Sequence, residues 1–334
     1  MNALLLAHTE DLCMFSPASP PAESIRDVSF LVLAIAGAIF LIVEAVLLYC
    51  IIRFRRKAKA GNEPPQFYGS KPIEIAWTAA PALIVFVLVL VTTRTLWSVN
   101  VDPPEPREGD GALFVTVIGH QWWWEYQYES YNGKKLGFAT SNELHVPVDD
   151  AQQRRPVYLK LKSADVCHSF WVPRLAGKTD LLPGRTNHTW FRTAEPGVYL
   201  GQCAEYCGTQ HAKMLIRVIA EPPTDFEKWL ANEQQPAVED AAAQKGKAAF
   251  VAQSCINCHT VRFPNSPAKG TFGPDLTHLM SRASLASGIL RNTPENLHEW
   301  VADPQKHKPG CLMPAFSLNE DDRAQMVSYL STLR

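Results

Sequence analysis

Two thiols, an imidazole and a thioether crowd into one short stretch, Gly201-Gln202-Cys203-Ala204-Glu205-Tyr206-Cys207-Gly208-Thr209-Gln210-His211-Ala212-Lys213-Met214. Thiolate, imidazole and thioether are soft or borderline ligands, the set that selects copper over oxygen-seeking ions. A single blue-copper ion takes two His, one Cys and a weak axial Met. This stretch carries one Cys too many for that and lacks the second His. The obvious donor is His168, in Asp165-Val166-Cys167-His168-Ser169-Phe170-Trp171-Val172-Pro173. Two bridging thiolates with one His per metal would hold two copper ions side by side. The same residues also admit a small Cys203–Cys207 disulfide or a zinc ion. Met214, three residues after His211, and a His just before an aromatic strand favour copper.

A second group lies further on. Cys255-Ile256-Asn257-Cys258-His259 is the C-x-x-C-H pattern of covalent c-type haem attachment. The two thiols form thioethers with the haem vinyls, and His259 becomes the proximal iron ligand. The sixth ligand should be His or Met. Met313, in Cys311-Leu312-Met313-Pro314-Ala315-Phe316, is the first choice, with Met280 and Met326 as alternatives. Met326 shares a helical stretch with Val327 and Leu330 and reads as core; Met280 precedes Ser and Arg and reads as surface or gap filler.

These groups need a scaffold. Val28 to Ile52 and Ile73 to Trp97 are continuous apolar runs, each long enough to cross a ~30 Å hydrocarbon core, which takes ~20 helical residues. Arg53-Phe54-Arg55-Arg56-Lys57-Ala58-Lys59 lies between them. The positive-inside rule puts that loop in the cytoplasm and everything after Trp97 outside. Neither run contains a His, so this chain alone cannot build an intramembrane haem–copper site. Glu44 falls inside the first run and reads as protonated or facing a protein partner, with a proton path as the alternative. Pro81 falls inside the second, which calls for a neighbouring helix over the freed carbonyl. Residues 1–27 read as a disordered arm. They make a poor signal peptide, and lipidation of Cys13 is a minor alternative.

After a Pro- and acid-rich linker, Val101 to Gly111, the pattern turns to short strands with turn punctuation, such as Ala112–Ile118, Pro156–Leu161 and Met214–Ile219. That is a β-sandwich or barrel, with the ligand stretch joining Val198-Tyr199-Leu200 to the Met214 strand. Trp122, Trp123 and Trp124 cannot all face one side of a strand, so at least one should be exposed or at an interface. Phe226, Trp229 and Leu230 mark a short amphipathic helix. A polar linker follows, and then a helical region with Thr293 and Asn319 as N-caps. A net charge of -1 implies no nucleic-acid partner. The eight cysteines do not form a disulfide framework, and Cys167 and Cys311 are expected as buried free thiols.

The ligand stretch, the HSFWVP segment and Gly119-His120-Gln121-Trp122-Trp123-Trp124 resemble subunit 2 of haem–copper cytochrome c oxidases, with its dinuclear CuA centre, over roughly residues 25 to 230. Gly273-Pro274-Asp275-Leu276 is similar to a turn of small cytochromes c. Together they resemble the caa-type oxidases, in which a cytochrome c is fused to the copper subunit. The resemblance implies a multi-domain membrane protein: an arm (1–27), a two-helix transmembrane hairpin (28–99, cytoplasmic loop 53–72), a cupredoxin-like all-β Greek-key sandwich (100–231), a linker (232–243) and a small all-α cytochrome c domain (244–334). It implies CuA ligands His168, Cys203, Glu205 through its carbonyl, Cys207, His211 and Met214. Glu205 would also help hold a Mg ion at the contact with subunit 1. Trp122 becomes the residue where electrons enter, and Glu74 the mouth of a proton-uptake channel.

The expected cofactors are two copper ions, one covalent haem c and the shared Mg. The expected partners are oxidase subunit 1, subunit 3, the lipid bilayer and a donor such as cytochrome c. The location is the bacterial inner membrane, with copper and haem on the periplasmic side. The route runs from donor to haem c to CuA to an oxygen-reducing site in subunit 1, coupled to proton translocation. The linker would act as a tether of ~20 Å reach, giving an effective concentration of order mM. Alternatives are a CuA subunit of a nitric-oxide-reducing relative, a free-standing membrane electron carrier, and a copper-storage protein; the fused haem argues against the last.

Overall fold

The computed structural model describes residues 12–55, 65–238, 240–316 and 318–334. They fall into two compact units, one of the described residues between 23 and 100 and one of residues 12–22 with those from 101 onward. The first is the helical hairpin: α1 (Pro20–Arg53) and α2 (Lys71–Val99), both long and apolar enough to cross a membrane. Helix α2 starts with Pro at its first turn and continues through Pro81. Most of the basic connection, residues 56–64, lies outside the described residues. The expected arm at 1–27 is shorter than read, because α1 already begins at Pro20. Its described part is also anchored: Arg174 Nε donates to the Ser16 carbonyl at 2.7 Å, and Ala18 N to the Arg174 carbonyl at 2.8 Å.

The second unit opens with a β-sandwich. One sheet has the order β3 (Lys134–Ser141), β2 (Trp123–Tyr131), β1 (Leu113–His120), β5 (Val157–Ser163), β8 (Asn187–Phe191). The other runs β4 (Glu143–Pro147), β10 (Leu215–Glu221), β9 (Gly197–Cys203), β6 (His168–Trp171), β7 (Thr179–Leu181). In β5 the alternation is direct: Val157, Leu159 and Leu161 are buried while Tyr158 and Lys160 are half-exposed, as a two-residue side-chain period requires. The β2–β3 hairpin went unread in the sequence although its signal is strong. Asn132 and Gly133 sit at φ 51° and 76°, the left-handed pair that an Asn-Gly hairpin turn needs. Helix α3 (Pro223–Glu233) closes the sandwich with Phe226 and Leu230 buried and Trp229 stacked on His145.

The remainder is mostly helical, with one small antiparallel pair, Ser284–Leu285 against Leu290–Arg291. It comprises α4 (Gln244–Ala252), α5 (Pro294–Ala302), α6 (Pro304–His307) and α7 (Glu320–Leu330), with short 3-10 turns between them. The two expected caps are present: Thr293 accepts from Asn296 N and Asn319 from Asp322 N. Phe250, Val261, Leu297, Met326 and Leu330 belong to a separate buried core. The linker is not a free tether. Ala237 is buried and its N–H donates to the Arg262 carbonyl at 2.7 Å, so the chain is held where it joins the modules.

Candidate functional site

The strand ends of β6 and β9 and the loop from β9 to β10 bring the soft ligands together. Cys203 Sγ lies 3.8 Å from Cys207 Sγ and 3.9 Å from His168 Nδ1. Cys207 Sγ lies 3.7 Å from His211 Nδ1 and 3.9 Å from Met214 Sδ. The Glu205 carbonyl is 3.2 Å from Cys203 Sγ while its carboxylate faces solvent. A sulfur separation of 3.8 Å is far from the ~2.05 Å of a disulfide, so the Cys203–Cys207 bridge is not formed. All six expected residues therefore converge, one imidazole beside each sulfur, and His168, Cys203, Cys207 and Met214 are buried. The donor set fits soft metal ions such as copper.

The protein orients these donors itself. Asp165 accepts from His168 Nε2 at 2.8 Å, which leaves Nδ1 turned to Cys203; such a carboxylate partner fixes the ring and raises its basicity. Burial opposes a charge on His168, but Asp165 and the Cys203 sulfur raise its pKa overall. The neighbouring Cys207 thiol, followed by His168, pulls Cys203 toward the thiolate, and Cys203 in turn makes Cys207 keep its proton. Two bare thiolates this close repel, and bound cations would remove that repulsion. Trp122 reaches the same loop: its indole Nε1 donates to the Cys207 carbonyl at 2.9 Å. Gly208, at φ +114°, permits this approach, since a Cβ there would stand 2.9 Å from the indole.

The haem motif, His259 included, lines a cavity of about 230 Å³ together with Met313, Phe272 and Trp300. His259 Nδ1 donates to the Pro274 carbonyl at 2.8 Å, leaving Nε2 for iron. Burial lowers the His259 pKa and keeps the ring neutral, the form that binds metal. Gly273 packs on this ring; a Cβ there would stand 2.7 Å from it. The Gly-Pro turn thus seats and orients the proximal histidine. Burial also pushes the Cys255 thiol up to about 11. Of the three methionines, Met313 and Met326 line the cavity and Met280 does not. Met326 is a buried core residue of α7. The cavity thus fits a covalent haem with Met313 as the available sixth ligand.

Of the adjacent tryptophans, Trp122 and Trp124 are buried and Trp123 is half-buried and stacked on His120; Trp122 lies at the contact between the modules, where an interface position was expected for at least one of the three. Two expectations need correction. Cys167 is exposed, because its neighbour His168 turns inward at the start of β6. Cys311 is half-buried, with Gln305 Nε2 3.3 Å from its sulfur. Glu74 sits exposed in the first turn of α2, in the hairpin unit.

Sequence reasoning missed the groups between the modules. Gln121, Trp122, Trp123 and Asn142 of the copper module line the haem cavity. Lys308, buried in the haem module, donates to the Trp122 carbonyl at 2.5 Å. Burial pushes its amine down to about 7, with Cys311 and Cys207 opposing. The Glu143 carboxylate accepts from Ala283 N at 2.9 Å and Ser284 Oγ at 2.5 Å. Asp165 was legible in principle, as a carboxylate three residues before a ligand histidine; Lys308 had no sequence signal.

Comparison with known proteins follows the same divisions. The cytochrome c oxidase subunit II transmembrane domain matches residues 7–94, its periplasmic domain residues 113–221, and cytochrome c residues 243–334. Cytochrome c oxidase subunit 2 of Alkalihalophilus pseudofirmus is 34% identical over 97% of this chain and 92% of that protein. The same subunit of Bacillus subtilis is 33% identical over 97% and 92%. Among solved structures, the periplasmic domain of subunit II of cytochrome oxidase from Bradyrhizobium japonicum is 30% identical, covers 39% of this chain and 97% of its own, and has a TM-score of 0.33. With family matches over its membrane, copper and haem segments, the chain belongs to the cytochrome c oxidase subunit II family and carries a cytochrome c domain, which imply copper and haem c as its cofactors.

Proposed function

We propose that this chain is the electron-accepting subunit of a respiratory haem–copper oxidase, passing electrons from a donor through its own haem c to CuA and on to subunit 1. The observation that carries this reading is Trp122. Its indole touches the copper loop through the Cys207 carbonyl, while the residue also lines the haem cavity. When bound, the haem and the copper pair each carry single electrons.

The residues of this chain have distinct tasks. Cys203, Cys207, His168, His211, Met214 and the Glu205 carbonyl would hold the copper, which would supply one-electron transfer. The solvent-facing Glu205 carboxylate is placed for a Mg ion shared with subunit 1. Cys255 and Cys258 would hold the haem covalently, and His259 and Met313 would bind its iron. Met–His ligation raises the haem potential, which suits delivery to a high-potential copper pair. Glu74 would stand at a proton-uptake channel, and proton translocation, subunit 3 and the periplasmic placement of both modules belong to this same reading. Oxygen chemistry belongs to subunit 1.

The test is a metal and haem count on the purified complex, with electron paramagnetic resonance and oxygen uptake. The expected result is a signal from one electron shared between two copper nuclei, one haem c per chain, and oxygen uptake together with a haem–copper subunit. A single-copper spectrum, zinc in place of copper, or nitric oxide uptake without oxygen uptake would overturn it.

A further inference from the structure

The segment His307–Met313 touches both ligand loops. On the copper side, Lys213 Nζ donates to the His307 carbonyl at 2.7 Å and Gln210 Nε2 to the Pro309 carbonyl at 2.5 Å. Gln210 and Lys213 flank His211 and precede Met214 in the copper loop. Between these contacts Lys308 turns the other way and donates to the Trp122 carbonyl, which Ser287 Oγ also reaches at 2.9 Å. Lys308 is 3% exposed. A buried amine is costly to keep when an apolar chain could fill the same space, and this one donates to a neutral carbonyl of the other module.

The haem side of the segment is closed on itself. Gln305 Nε2 donates to the Cys311 carbonyl at 2.9 Å and the Met313 carbonyl at 2.8 Å, while its Oε1 accepts from Gly310 N at 2.8 Å. Residues 305–313 therefore form one cross-braced loop, and a shift at 307–309 is carried to Met313.

We propose that His307–Met313 is a strap coupling the copper ligand loop to the haem's sixth ligand, with Lys308 as its positioning residue. This rests on the assignment of Met313 to the haem iron. The coupling is reciprocal, as any linkage between two sites must be: the state of the copper loop biases haem ligation, and the reverse. Lys213 and Gln210 act on the haem without lining its cavity.

The test uses the full oxidase complex carrying Lys308→Met, Lys308→Arg or Lys213→Met. Three quantities are read: the haem c midpoint potential, its near-infrared Met–iron band, and total haem and copper. The expected result is full cofactor content with a lowered potential and a weaker band in both Met variants. The ligand-on equilibrium should move roughly tenfold, the size of one hydrogen bond, and Lys308→Arg should restore part of it. Fully loaded Lys308→Met and Lys213→Met complexes with unchanged potential and band would overturn the strap. If Lys308→Met does not assemble, Lys213→Met alone decides. A wild-type complex lacking the Met–iron band would instead remove the Met313 assignment, and the strap with it.

Discussion

The copper and haem modules reach their sites by opposite means. In the copper module the polypeptide alone holds the ligand atoms together. Four sulfur–nitrogen and sulfur–sulfur separations fall between 3.7 and 3.9 Å, on the ends of strands locked by sheet hydrogen bonds. In the haem module the protein holds a cavity of about 230 Å³, one wall of which belongs to the other module. A site framed by a sheet is organised before its metal arrives. A small helical module around a large cavity needs its cofactor as part of its core.

The largest test of this contrast removes the haem thioethers. In Cys255→Ser/Cys258→Ser the haem module should lose its cooperative unfolding transition, followed by calorimetry, while the copper signal persists. Loss of both together would show that the copper site is not organised by its own sheet. Next in size is Asp165→Asn, which keeps the shape of the His168 partner but not its charge. Copper affinity should fall about 10- to 100-fold, measured by competition with a chelator, with the haem spectrum unchanged.

The interface between the modules should carry a pH signature. Lys308 is held near 7 by burial, whereas an unfolded lysine titrates near ~10.4. Between these values the unfolded chain holds the extra proton, so stability rises as pH rises from about 7 toward ~10.4, on the order of 1 kcal/mol per pH unit. Lys308→Met should flatten that rise in chemical denaturation; an equal slope in both proteins would exclude Lys308 as its source. The smallest expected effect is Trp122→Phe, which keeps an aromatic ring and removes the indole N–H bond to Cys207. Haem-to-copper transfer should slow about fivefold, the scale of one neutral hydrogen bond, as seen by stopped-flow absorbance.

Much of this was written in residue types and spacing. The convergence of Cys203, Cys207, His211 and Met214 was legible because soft donors cluster within 14 residues of loop, Gly201–Met214, and the cavity-lining Cys255, Cys258 and His259 because C-x-x-C-H is a local pattern. The hairpin spans were legible from run length. What stayed hidden was long-range. Nothing local announces that Lys308 meets Trp122, 186 positions away, or that the linker packs down at Ala237. The misplacement of Cys167 had a different origin: reading a lone Cys as buried overlooked that its neighbour His168 must point inward. The covering of Trp122 was unreadable because strand alternation says which face a residue takes, but not what lies against that face.

The most direct trial follows a single electron inside one chain. With the haem of the purified complex reduced in a rapid mixing or photoreduction experiment, haem oxidation and copper reduction should proceed in step, at a rate independent of protein concentration. A rate that grows with protein concentration, or copper reduced by the donor ahead of the haem, would contradict an electron path through Trp122 within one chain.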